Sequence, residues 1–191
     1  EINEIIISNS IAPNCIGDTL ISAGTDGCIK LFQPNSEKIW DLGTESRSYE
    51  VGAPVLSISS FSVADSSGIW IAGSSAVGTC KIWKSTSSSL QGSITMAAHK
   101  VQALQFLRDC NTIVTGGADR TLRLWQLHQG SREATKVNNV KAGSCINSIS
   151  KSLNSAQIAS GHQDGSLRFF NAEDLNSINS VKLHTGSITC V

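Results

Sequence analysis

Stretches of alternating apolar and polar positions recur along the chain, each broken by a short glycine-rich turn. The sharpest runs from Thr112 to Trp125. It holds the β-branched run Ile113-Val114-Thr115, the turn Gly116-Gly117-Ala118-Asp119, and then Leu122-Arg123-Leu124-Trp125, which alternates and ends on an aromatic ring. This pattern predicts two short strands joined by a tight turn. It returns from Thr19 to Phe32 around Thr25-Asp26-Gly27 and from Gln157 to Phe170 around His162-Gln163-Asp164-Gly165. A weaker copy without a turn Asp runs from Trp70 to Trp83. The closing aromatics Phe32, Trp83, Trp125 and Phe170 stand 51, 42 and 45 residues apart.

A strand-turn-strand unit with a period near ~45 residues resembles the WD40 repeat. The resemblance implies an all-β WD40 β-propeller. Its inner strands are expected at Ile2 to Ile7, Val55 to Ile58, Val101 to Phe106 and Cys145 to Ile149. Ser36 to Leu42 is expected as an outermost strand, and Pro13 to Asp18, Asp65 to Gly68 and Arg108 to Asn111 as turns. Ser85 to Ser89 reads as a solvated loop or the start of an edge strand. His184 to Val191 reads as the opening of a fifth blade. The expected architecture is a partial propeller of about four blades plus one strand, roughly half of a seven-blade ring. Its blades fall near 1–50, 51–96, 97–140 and 141–182, with a fifth starting at 183–191. A fragment, a truncated product or an incomplete gene model is expected, with a closed four-blade ring as the alternative.

Composition narrows the function classes. The 191 residues carry 15 basic and 15 acidic side chains, giving a net charge of zero. That leaves no broad electrostatic footprint for nucleic acid. No apolar run approaches the ~20 residues of a membrane-spanning helix, and Glu1-Ile2-Asn3-Glu4 lacks the basic region of a signal peptide. The six cysteines form no C-x-x-C pair and have no histidine at ligand spacing. Reduced thiols in a cytoplasmic protein are therefore expected, rather than a disulfide framework or a zinc site.

In WD40 blades a histidine, a strand hydroxyl, the turn Asp and a tryptophan form a buried hydrogen-bonded chain. The resemblance places these at His99, Thr115, Asp119 and Trp125, and only the third unit holds all four. The first has Phe32 for tryptophan, the second has Gly73 and Val77, and the fourth has Phe170 with Ala142 in the histidine place. Those three are expected to rely on packing and backbone pairing. A catalytic reading of His99, Thr115 and Asp119 fails because a threonine sealed under tryptophan offers no exposed nucleophile. His162 beside Asp164 supplies too few ligands for a metal. Lys30, Lys81, Arg123 and Arg168 recur at one strand position and read as a solvated or salt-bridged register. No phosphate-binding loop, zinc-protease or nucleophile-elbow motif occurs, so no enzyme activity and no cofactor are expected.

The function left is that of a protein-interaction platform. The turns joining second and third strands are expected to share a face with the loops before each inner strand. Lys100, Arg120, His162 and Gln163 are its long polar groups and the candidate partner-binding rim, suited to short peptide motifs; Asp-Arg-Thr is also a common structural turn. The series from Phe106 to Trp125, then Ala142-Gly143-Ser144-Cys145, then Ile158 to Phe170, with the weak Ala72-Gly73-Ser74-Ser75 unit before it, resembles the C-terminal WD40 domain of the autophagy-related protein 16 family. That resemblance implies a scaffold that helps direct lipidation of a ubiquitin-like protein during autophagosome assembly, recruited to membranes through a complex. A ubiquitin-ligase substrate receptor or a trafficking coat is the alternative.

Overall fold

The computed structural model describes residues 1–9, 18–35, 38–62, 68–86, 90–95, 100–128, 133–152, 154 and 156–191. They form four antiparallel sheets, each a meander of four consecutive strands. The first sheet is β1 (Ile2–Asn9), β2 (Asp18–Gly24), β3 (Cys28–Asn35) and β4 (Lys38–Glu50). The second is β5 (Val55–Ser62), β6 (Ile69–Ser75), β7 (Thr79–Lys84) and β8 (Leu90–Thr95). The third is β9 (Val101–Phe106), β10 (Thr112–Gly117), β11 (Thr121–Leu127) and β12 (Ala134–Lys141). The fourth is β13 (Ile146–Lys151), β14 (Gln157–His162), β15 (Ser166–Asn171) and β16 (Ser177–Lys182). This is the all-β partial propeller the sequence predicts.

The innermost strands β1, β5, β9 and β13 stand side by side, and the core lies between sheets rather than within one. Ile21, Ile29, Leu31 and Tyr49 pack on Val55, Ile58, Ile71 and Trp83. Ala72, Cys80 and Ile82 pack on Val101, Phe106, Ile113 and Trp125. Ala103, Val114, Leu122 and Leu124 pack on Ile146, Ile149, Ile158 and Phe170. Ile113 and Val114 are neighbours in β10 that face opposite sheets, and both are buried. A strand covered on both faces loses its apolar-polar alternation, which is why Ile113-Val114 reads as a continuous apolar run.

The structure departs from the expectations in three places. β4 extends to Glu50, well past Leu42. β12 and β16 are outer strands with no sequence counterpart above, and β8 begins at Leu90, just past the expected edge-strand start at Ser85 to Ser89. Residues 184–191 form no strand, although Ile188 is buried and its amide donates to the His162 carbonyl at 3.0 Å. In keeping with the expected open partial propeller, Ile2 and Ile5 are 63% and 54% exposed, whereas their counterparts Val55 and Ile58 are buried under the preceding sheet. Most of the expected Pro13 to Asp18 turn, most of the Asp65 to Gly68 turn, the end of the Ser85 to Ser89 loop and His99 lie outside the described residues.

Candidate functional site

One face of the molecule is built from turns and loops stitched together by backbone hydrogen bonds. The amides of Thr25, Ala76, Ala118 and Gln163, each in a turn between second and third strands, donate to the carbonyls of Glu1, Pro54, Lys100 and Cys145 in the segments leading into the inner strands. The turns and lead-in loops therefore share a rim, as the sequence predicts. The third turn position is Gly27, Gly78, Arg120 and Gly165 in successive sheets, with φ of 77°, 84°, 60° and 78°. Glycine takes this left-handed conformation at little steric cost. Arg120 holds it with a full side chain.

Beneath the rim, the Trp125 indole N–H donates to Thr115 Oγ1 at 2.8 Å in a fully buried contact. Asp119 accepts from the Thr121 amide at 3.2 Å and from the Arg123 guanidinium. His99 lies outside the described residues, so the structure brings together Thr115 with Trp125 and ties Asp119 to Arg123. Arg123 faces Thr115 across the hairpin, as Lys30 faces Ser22, Lys81 faces Gly73 and Arg168 faces Ser160. The recurring basic register is thus set by strand pairing.

The second and fourth sheets, expected to rely on packing and backbone pairing, also hold side-chain polar contacts. In the second, the Ser75 hydroxyl replaces the missing turn Asp and accepts from the Thr79 amide at 3.1 Å. In the fourth, His162 takes over from Ala142. It is a correction to the rim assignment as well, because His162 is completely buried and no partner reaches it. Its strand position turns the ring inward. His162 Nε2 meets Ser160 Oγ at 2.8 Å, Nδ1 meets an Arg168 Nη1 at 3.1 Å, and Arg168 Nη2 bonds Asp164 Oδ2 at 2.6 Å. His162 Nδ1 also lies 3.2 Å from the Ser144 carbonyl oxygen, so this one nitrogen faces both a donor and an acceptor. Burial and the Arg168 charge hold His162 below the usual imidazole range, against the opposing pull of Ser144, Asp164 and Cys145. Burial raises the Asp164 carboxyl, but the Ser166 amide and hydroxyl and the Arg168 charge outweigh it and leave it lowered.

The histidine has a consequence for stability. An imidazole kept neutral in the fold takes up a proton more readily when unfolded, so stability is full above the unfolded pKa of ~6.5 and falls as the pH drops through it. The melting temperature is expected to fall between pH 7.5 and 5.5, and less so in His162→Gln. Equal pH slopes for the two proteins would remove His162 as the cause. The lowered Asp164 carboxyl acts in the same direction, but below pH ~4.

Lys100, Arg120 and Gln163 are exposed on the rim, so three of the four candidate groups remain available to a partner. A second surface has no counterpart in the sequence reading. The inner strands wall a concavity of about 520 Å³, lined by groups including Glu4, Ser57, Gln102 and Ser148. Its polar side chains tie neighbouring strands: Asn3 donates to the Val55 carbonyl at 2.7 Å, Glu4 accepts from the Ile58 amide, and Ser59 accepts from the Phe106 amide at 3.1 Å. Burial raises the Glu4 carboxyl, opposed by its bonds from Ile58 and Ser57. Polar residues at positions one to four of each inner strand were the available signal.

A family model for the WD domain, G-beta repeat, matches residues 90–126 and 135–171. The chain carries WD40 repeats. Each match starts on the outer strand of one sheet, β8 or β12, and ends on the third strand of the next, so the WD40 repeat runs one strand ahead of the sheet. Over 185 residues the chain is 31% identical to Protein tipD of Dictyostelium discoideum, covering 95% of this chain and 28% of the relative. It is 27% identical over 174 residues to Autophagy-related protein 16 of Arabidopsis thaliana, covering 91% and 32% respectively. It is also 27% identical over 177 residues to DENN domain and WD repeat-containing protein SCD1 of the same plant, covering 92% and 14%. The chain thus spans a third or less of the length of these relatives. WD40 repeats build protein-interaction domains. Among the described residues no helix is long and apolar enough to cross a membrane, and Cys28, Cys80, Cys110, Cys145 and Cys190 are free thiols.

Proposed function

We propose that this chain is the WD40 interaction platform of a cytoplasmic autophagy scaffold, non-catalytic itself, which recruits partners through short peptide motifs while the rest of the scaffold directs lipidation of a ubiquitin-like protein. The likeness to Autophagy-related protein 16 along 91% of the chain carries this reading. The rim supports it physically: stiff sheets hold short loops, so binding groups arrive preorganised and little ordering entropy is lost on association. Thr115 is sealed under Trp125 and His162 is committed to Ser160 and Arg168, which leaves these side chains in structural roles. Recruitment to autophagic membranes would follow from the complex.

The equal identity to SCD1 favours a second reading, a WD40 adaptor of another assembly such as a trafficking coat or a ubiquitin-ligase substrate receptor. Deleting the gene separates the two. The first reading expects the lipid-conjugated form of the ubiquitin-like protein to disappear from gels of starved cells and to return with the full-length gene. Undiminished conjugation in the deletion strain would overturn it, and an upstream F-box or coat-type helical array in the transcript would establish the second.

A further inference from the structure

We infer that the rim of the third and fourth sheets is a docking surface for an acidic peptide, with Arg120 and Lys100 as its main contacts. This deepens the platform reading and rests on it. The chain is neutral overall, but its charges are sorted by face. On the rim of these two sheets the described cations are Lys100, Arg120, Lys141 and Lys182, beside Arg123 and Arg168. Among the described residues the acids there are Asp119 and Asp164, each already bonded to the arginine four residues on. On the opposite face the described acids Asp109, Glu133, Glu173 and Asp174 outnumber the cations Arg108 and Lys151, and Arg108 is itself paired with Glu173 at 2.7 Å.

The rim cations form one strip. The Ala118 amide donates to the Lys100 carbonyl, the Ala142 amide beside Lys141 donates to the Arg120 carbonyl at 2.8 Å, and the Leu183 amide beside Lys182 donates to the Gly165 carbonyl at 3.1 Å. Cys145 Sγ, against the Ala118 carbonyl at 3.3 Å, joins the two sheets within the strip. Lys141 Nζ rests on the Thr121 hydroxyl at 3.0 Å and Lys182 Nζ on the Asp164 carbonyl, both neutral acceptors. The Lys100 and Arg120 side chains have no hydrogen-bond or ionic partner among the described residues. The strip also has a direction, because the matching outer-strand end in the first sheet is Glu50 where these sheets have Lys141 and Lys182.

Arg120 supplies a second and independent observation. It stands in a left-handed conformation that glycine occupies in the other three turns. An exposed arginine held there, with no partner among the described residues, presents its guanidinium on a short, hydrogen-bonded turn. Its planar fork matches a carboxylate in two parallel bonds. The tryptophans and phenylalanines of these sheets lie in the core or on strands, so the rim offers no aromatic platform on which bases could stack. The chemistry favours glutamate and aspartate side chains over nucleic acid.

A displayed library of random 12-residue peptides, panned against the whole chain, tests the inference. Selected sequences are expected to be enriched in Asp and Glu, to bind about tenfold more weakly to the double variant Arg120→Gly/Lys100→Ser, and to lose affinity as salt rises. Gly27, Gly78 and Gly165 show that the turn accepts glycine, so folding is retained. Lys136→Ser removes an exposed charge from outer strand β12 and is expected to leave binding unchanged. Selected peptides without acidic enrichment that survive the double variant would overturn the charge preference and leave the platform reading standing. So would equal weakening by Lys136→Ser, or displacement by a 12-nucleotide single strand as effective as by the acidic peptide. If the library yields no binder above background, the platform reading falls and takes this inference with it.

Discussion

Asp119→Ala is expected to lower stability by about 2–4 kcal/mol, read as a fall in melting temperature of roughly 6–12 °C for a chain of this size. The cost comes less from the deleted carboxylate than from what it leaves behind. Arg123 is 18% exposed at the side chain and Asp119 only 7%, so the pair sits largely out of water. Among the described residues Arg123 Nη1 has no hydrogen-bond partner. Removing Asp119 strands a buried guanidinium and frees the Thr121 amide that closes the turn. Breaking a buried ion pair from one side is costly, whereas removing both partners is far milder. Asp119→Ala/Arg123→Leu is accordingly expected to recover much of the loss. An unchanged melting temperature in the single variant would show that the pair contributes nothing.

Gly165→Ala is expected to cost about 3 kcal/mol or more. Two penalties coincide there. A side chain at φ 78° meets the left-handed penalty of roughly 1–2 kcal/mol. The added methyl would also lie 2.0 Å from the His184 carbonyl oxygen and 2.5 Å from that of Gly186, both backbone atoms that cannot swing aside. The chain over 184–186 must move, taking with it the amides of Leu183 and His184 that hold the Gly165 carbonyl. Thermal melts and amide exchange over 183–188 measure both effects. Exchange in that segment as slow as in the wild type would mean that the turn absorbs the methyl without moving its neighbour. Arg120, at the same turn position one sheet earlier, marks the contrast: the left-handed conformation alone is tolerable, and the backbone lying across Gly165 makes the difference.

The hairpins were legible because their strands are apolar on both sides and their turns use Gly and Asp at fixed offsets. Ile113-Val114-Thr115 and Leu122 to Trp125 announce themselves in any reading. The outer strands β12 and β16 were not legible, because they bury little: every residue of β16 is exposed and most of β12 is too, so no periodicity is written into them. Their existence follows from the third strand needing a partner for its free backbone edge. The candidate site was legible in part. Lys100, Arg120 and Gln163 fall on the rim, as turn residues should. His162 was misplaced because a polar residue next to a turn reads as solvated, and only the inward face of β14 with Arg168 opposite Ser160 reveals its burial. The sign of the rim was hidden by a net charge of zero, since sorting charges by face needs the strand directions.

Every strand pair within a sheet joins sequence neighbours, so the contacts that complete each sheet span only a few dozen residues. Chains with such local contacts lose little loop-closure entropy on the way to the native state. Each sheet can assemble as soon as its own strands leave the ribosome, using the face of the sheet made just before it as a template. Synthesis order and spatial order then coincide, and a chain halted between sheets would carry finished units behind the stop rather than a tangle awaiting its remainder.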